Sequence, residues 1–142
     1  MSSKQSNILE MLKTNLGALT SIKKSGNFPK DVKLIGQNFP SIMVEEKDED
    51  NALGSGKRVN IDFSVDVWIY TTDQQDPLTI QLEVEKEIYK DLTMNGNCIN
   101  LEINHVSKGE WNSTANNFEV GKYTNRDIRK LEITFKMYCV RI

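Results

Sequence analysis

Val59-Asn60-Ile61-Asp62-Phe63-Ser64-Val65-Asp66-Val67-Trp68-Ile69-Tyr70 is the stretch that decides how this chain folds. Every odd position is apolar and most even ones are polar, the two-residue period of a β-strand. Successive side chains of a strand leave by opposite faces, so Val59, Ile61, Phe63, Val65, Val67 and Ile69 share one face. At about 3.3 Å per residue the strand runs roughly 40 Å, which calls for long partners and an apolar layer over the odd face.

Both are found in the rest of the chain. Residues 7–23 read as a helix, with Asn7 as cap and Glu10 at capping-box spacing. Its Ile8, Leu12, Leu16 and Leu19 form one stripe, with Leu9 and Ile22 beside it. Ser25-Gly26-Asn27 reads as the end of that helix. A short strand over 39–44 follows, with Pro40 confining its start to an edge or bulge. A second helix begins at Asp76-Pro77, a cap followed by a proline where no N–H is needed, and runs to about Leu92. Asn95-Gly96 is a turn. Strands over 98–106 and 131–140 complete the set. Ile99, Leu101, Ile103 and His105 share a side of the first; Leu131, Ile133, Phe135, Met137 and Cys139 share a side of the second.

The pattern predicts a single α+β domain over 1–142, in the order α-β-β-α-β-β. It has an antiparallel or mixed sheet of about four strands with helices packed on one face. Two loops are expected to be mobile. Residues 45–57 hold five acids (Glu45, Glu46, Asp48, Glu49 and Asp50) with little apolar anchor; residues 107–126 are polar around Trp111, Phe118 and Tyr123.

A chain of 142 residues can bury a core without staples. A net charge of −2 argues against a general nucleic-acid binder. No apolar run is long enough for a membrane span. The N-terminus lacks a signal-peptide core, so the chain is expected to stay in the cytoplasm. Cys98 and Cys139 lie in strand-like runs and read as small buried residues. His105, the only histidine, reads as structural. Gly56-Lys57 lacks the remaining residues and the following helix of a phosphate loop. Glu83, Glu85, Glu87 and Asp91 interleave with Lys86 and Lys90 as a charged helix face. Asn112-Ser113-Thr114 is a glycosylation sequon that a cytoplasmic chain would not use. No catalytic, cofactor or metal set is identified, and no enzymatic activity is expected.

Two features exceed what a simple core requires. On the even face, Asp62, Ser64 and Asp66 give way to Trp68 and Tyr70, and Tyr138 falls in the matching half of the last strand. Either the 107–126 loop or a partner must cover these aromatics. In the second helix, Leu78, Leu82, Ile88, Tyr89 and Leu92 form the sheet-facing arc, and Ile80 and Val84 widen it beyond one sheet face. Ile80 and Val84 are therefore expected to face a neighbouring subunit.

The chain as a whole resembles the tail terminator proteins of long-tailed bacteriophages. The likeness rests on the amphipathic first helix, the hairpin ending in Val65-Asp66-Val67-Trp68-Ile69-Tyr70 and the run Asp91-Leu92-Thr93-Met94-Asn95-Gly96. The closing strand, Leu131 to Tyr138, completes it. The resemblance implies a structural protein of the virion tail, assembled in the host cytoplasm. It would form a homo-oligomeric, hexameric ring that binds the tail tube protein, stops tube growth and offers a surface to the neck or connector. DNA would be only passing cargo, with no cofactor and no membrane contact. The acidic 45–57 loop departs from the family. A neck or head–tail completion protein, or a small-ligand-binding α+β dimer, are the alternative readings.

Overall fold

The computed structural model describes residues 3–28, 30–31, 38–53, 58–72, 74–112, 117–120 and 126–140. For 50–53, 58–59, 110–112, 117–120, 126–127 and 138–140 the description covers the backbone alone. The fold is α+β. The elements are α1 (Lys4–Gly17), β1 (Lys24–Asn27), β2 (Ser41–Leu53), β3 (Arg58–Thr72), α2 (Pro77–Ile88), β4 (Asn100–Asn112), β5 (Asn117–Val120) and β6 (Arg126–Val140). They build one six-stranded sheet in the order β1-β2-β3-β6-β4-β5. β1 pairs parallel to β2 and all other neighbours are antiparallel, so the sheet is mixed. The expected count of about four strands is too low: β1 and β5 lie in segments that read as a helix end and a polar loop.

The alternating stretch is the spine. β3 pairs with β6 over all 15 residues, from Arg58↔Val140 to Thr72↔Arg126. Its odd side chains from Ile61 to Ile69 are buried, together with Leu131, Ile133, Phe135 and Met137 of β6. Ile8, Leu12 and Leu16 of α1 and Ile80, Val84 and Ile88 of α2 belong to the same cluster, so both helices cover one sheet face.

α1 starts at Ser3, whose Oγ accepts from the Ser6 amide at 3.0 Å. Asn7 is already helical, and Glu10 pairs with Lys13 at 2.6 Å instead of closing a capping box. The helix ends at Gly17, where β1 passes close by: a Cβ there would lie 2.5 Å from Ser25 Oγ. Leu19 and Ile22 nevertheless stay packed on the core through two turns. α2 is capped by Asp76 as expected, its carboxylate accepting from the Leu78 amide at 3.2 Å. The following turn uses left-handed Met94, Asn95 and Gly96, with φ of 48°, 56° and 82°. Cys98 packs under this turn as a buried thiol, pushed up to about 11 by burial first and by Asp91 second. The Cys139 side chain lies outside the described residues.

Two β-bulges shape the outer face. On β2, Glu46 pairs with Val65 and Glu49 with Phe63, so Lys47 and Asp48 together oppose Ser64. On β4, Ile103 pairs with Ile133 and His105 with Glu132, leaving Asn104 as the extra residue. Each extra residue reverses which side chains face the helices from that point on.

Candidate interaction surfaces

The acids of 45–50 do not form a loop. β2 continues to Leu53, and only 54–57 of the expected loop lie outside the described residues. Strand geometry and the bulge divide these acids. Glu45 is opposite Asp66, Glu46 opposite Val65, Glu49 opposite Phe63 and Asp50 opposite Asp62, while Asp48 sits in the bulge. Glu49 accepts from Gln5 Nε2 at 2.6 Å, tying the strand to α1. The expected polar loop 107–126 is likewise partly strand: β4 reaches Asn112 and pairs with β5 from Gly109↔Val120 to Asn112↔Asn117. Residues 113–116 and 121–125 and the side chains of Trp111, Phe118 and Tyr123 lie outside the described residues.

Trp68 and Tyr70 leave by the outer face, as their register requires, yet both are buried, at 4% and 6% exposed. Phe28 and Phe39 pack over them. Phe28 stacks on Trp68 with ring centroids 4.3 Å apart and planes 12° from parallel. Met43, Ile128 and Phe39 complete this second cluster. The indole Nε1 donates to Glu45 Oε1 at 3.2 Å, and Lys130 Nζ lies 5.5 Å from the ring centroid. The expectation of exposed aromatics awaiting the 107–126 loop or a partner is therefore corrected. Phe28 and Phe39 do the covering, Phe28 directly after β1, whose parallel pairing with β2 ends at Asn27↔Val44. Burial raises the Tyr70 hydroxyl above its ordinary range, with Glu45 adding to the effect, and the hydroxyl has no hydrogen-bond partner among the described residues. Tyr138 is opposite Asn60 in the backbone; its side chain lies outside the described residues.

Ile80 and Val84 are corrected too. They are 7% and 0% exposed and sit in the helix-side core with Gln81 and Ile88. The buried arc of α2 is centred on them. Gln81 fixes it, its Oε1 accepting from Arg129 Nη1 at 2.7 Å in a buried contact. Leu78, Leu82 and Tyr89, expected to face the sheet, are instead 49%, 54% and 42% exposed. A 100° step per residue puts these three within about 40° of arc. Leu92 and Ile99 are also exposed. The Tyr89 hydroxyl reaches β4 and accepts from the Ile103 amide at 2.9 Å. β5 pairs only with Gly109–Asn112, so β4 has no strand on its far side over 100–108 among the described residues. Surplus apolar surface was thus legible in the composition of α2, but on the other arc.

His105 is exposed and outward, not in register with Leu101 and Ile103, because the Asn104 bulge turns it over. It lines a cavity of about 190 Å³ with Lys47, Asp48, Ser64, Asp66 and Glu132. Asp66 is 4% exposed, and its carboxyl is pushed up to about 6, chiefly by burial. Lys130 and Lys47 act against that rise and Glu132 and Glu45 add to it. Among the described residues no group of three or more His, Cys, Asp and Glu side chains could hold a metal ion. No helix among them is long and apolar enough to cross a membrane. Comparison of the chain with protein-family models and with curated proteins finds no match.

Proposed function

We propose that this chain is a structural subunit that associates with copies of itself into a ring closing the end of a phage tail tube. The observation that carries the reading is the exposed apolar stripe Leu78, Leu82 and Tyr89, which reaches β4 where, among the described residues, that strand has no neighbour on its far side; Leu92 and Ile99 are exposed as well. Contiguous apolar surface beside an open sheet edge is what protein association removes from water. A stripe on one side of the molecule, meeting a different surface of the next copy, makes a heterologous contact, which forms a ring when the rotation between copies closes. The likeness of the chain to tail terminator proteins supplies the ring's place on the tube, its hexameric number and its second surface for the neck.

Electron microscopy of the purified protein, alone and added to polymerising tail tubes, tests this. The expected result is annular particles of about six copies seated at tube ends, with tubes of limited length. Tubes that grow to the same length with the protein as without it, and no particle on their ends, would overturn the proposal.

A further inference from the structure

The outer face of the sheet carries a row of acids directly opposite one another. Glu45 on β2, Asp66 on β3 and Glu132 on β6 are successive cross-strand partners, and His105 on β4 follows Glu132. Like charges facing each other across strands are unfavourable. The arrangement is centred on Asp66, whose carboxylate takes part in no hydrogen bond or ion pair among the described residues although it is 4% exposed. Burial is the largest influence on this carboxyl and favours its neutral form, although its oxygens are not sealed from the cleft.

The cavity beside it is made by the two bulges. Lys47 and Asp48 of the β2 bulge form one wall, and Asn104 and His105 of the β4 bulge the other. Ser64, Asp66, Glu132 and Thr134 of the two central strands make the floor. The bulges thus open about 190 Å³ over the acidic row, enough for a side-chain head group and too little for a nucleotide. The nearby cations Lys130 and Lys47 both favour the ionised Asp66, and each also lies near another group. Lys47 Nζ lies 4.0 Å from Glu45, and Lys130 lies over the Trp68 ring. Four carboxylates (Glu45, Asp48, Asp66 and Glu132) face two ammonium groups, with the His105 ring at the margin.

The geometry points to a binding site for a guanidinium group, the head of an arginine side chain, seated between Asp66 and Glu132. Cross-strand neighbours place the two carboxylates on adjacent strands at a spacing of about 5 Å between Cβ atoms. A planar fork of N–H donors spans such a pair, whereas a compact ammonium serves one carboxylate at a time. The arginine is carried on a protein chain or arrives as a free small molecule; the recognising chemistry is the same. The site is on the sheet face opposite α2 and does not depend on the proposed ring.

The test is an NMR titration of the intact protein at pH 7.5 with N-acetyl-arginine amide, following the Asp66, Glu132 and His105 signals. The expected result is saturable binding about tenfold tighter than that of the uncharged citrulline analogue or of N-acetyl-lysine amide, centred on Asp66. Binding should weaken as pH falls through about 6, where Asp66 takes up a proton. Asp66→Asn should abolish it while the protein stays folded, and Glu132→Gln should weaken it if the first variant fails to fold. Absence of saturation, equal binding of citrulline or lysine, or full binding by folded Asp66→Asn would overturn the site. Measuring mass in solution with the ligand present separates the two sources. A fall in mass shows that the ligand displaces an arginine of a second copy; an unchanged mass shows that the site takes arginine from elsewhere.

Discussion

The two faces of the sheet solve the problem of apolar burial differently. The inner face is covered by two helices whose apolar stripes match the alternation of β3 and β6 along most of their length. The outer face is divided. Around Trp68 and Tyr70 it is a small second core under Phe28 and Phe39, and around Asp66 it is an open acidic cleft between two bulges. Regular strands gave the chain its body, and irregular ones gave the outer face a concave polar site. The inner face is thus one continuous core, while the outer face is part core and part cleft.

Truncating one large aromatic on each face tests that contrast most severely. Phe63→Ala on the inner face should cost about 3–5 kcal/mol, and Trp68→Ala on the outer face a similar amount, because both side chains are nearly fully buried. Urea unfolding of both variants measures this. A Trp68→Ala protein within a few tenths of a kcal/mol of the wild type would show that the outer cluster is not a core at all.

A smaller effect examines how the inner face is held. Gln81→Leu leaves the buried Arg129 guanidinium short of an acceptor and should cost about 1–3 kcal/mol. Exchange of backbone amides in α2 would show the helix loosening from β6; unchanged protection would mean that apolar packing alone positions it.

Asp66→Asn sharpens the difference between the two halves of the outer face. The carboxyl titrates near 3.8 in the unfolded chain and at about 6 in the folded one, so folding favours its protonated form. Stability contributed by this group is complete below pH 4 and declines as pH rises through 6. The variant should match the wild type at pH 4 and exceed it above pH 6, by on the order of 1 kcal/mol once solvent in the cleft is allowed for. Thermal unfolding across that range reads the difference. Parallel curves at all pH values would mean that the carboxylate is already compensated.

Much of the inner face was legible because its signals are periodic. The alternation from Ile61 to Ile69 and the spacing of Ile8, Leu12 and Leu16 each repeat often enough to outweigh a misplaced helix cap. The acidic strand was not legible, since Glu45 to Asp50 have neither β-propensity nor alternation; pairing with β3 holds them in a strand regardless. The bulges at 47–48 and at 104 leave no compositional mark, and each reverses the faces beyond it. His105 and the acids of β2 could not have been assigned to a side without them. In α2 the ambiguity was rotational. Its apolar arc was too wide to show which part turned inward, and the polar Gln81, which meets Arg129 on the buried side, looks from sequence like a surface residue.

The claim at the centre of the account is that the chain associates with itself through the exposed stripe of α2. Sedimentation of the wild type and of the double variant Leu78→Asp, Leu82→Asp at equal concentrations tests it directly. Both positions are about half exposed, so the variant should keep its fold and melting temperature. The account predicts a closed oligomer for the wild type and a folded single chain for the variant. Equal masses for the two, whether both single or both assembled, would contradict it.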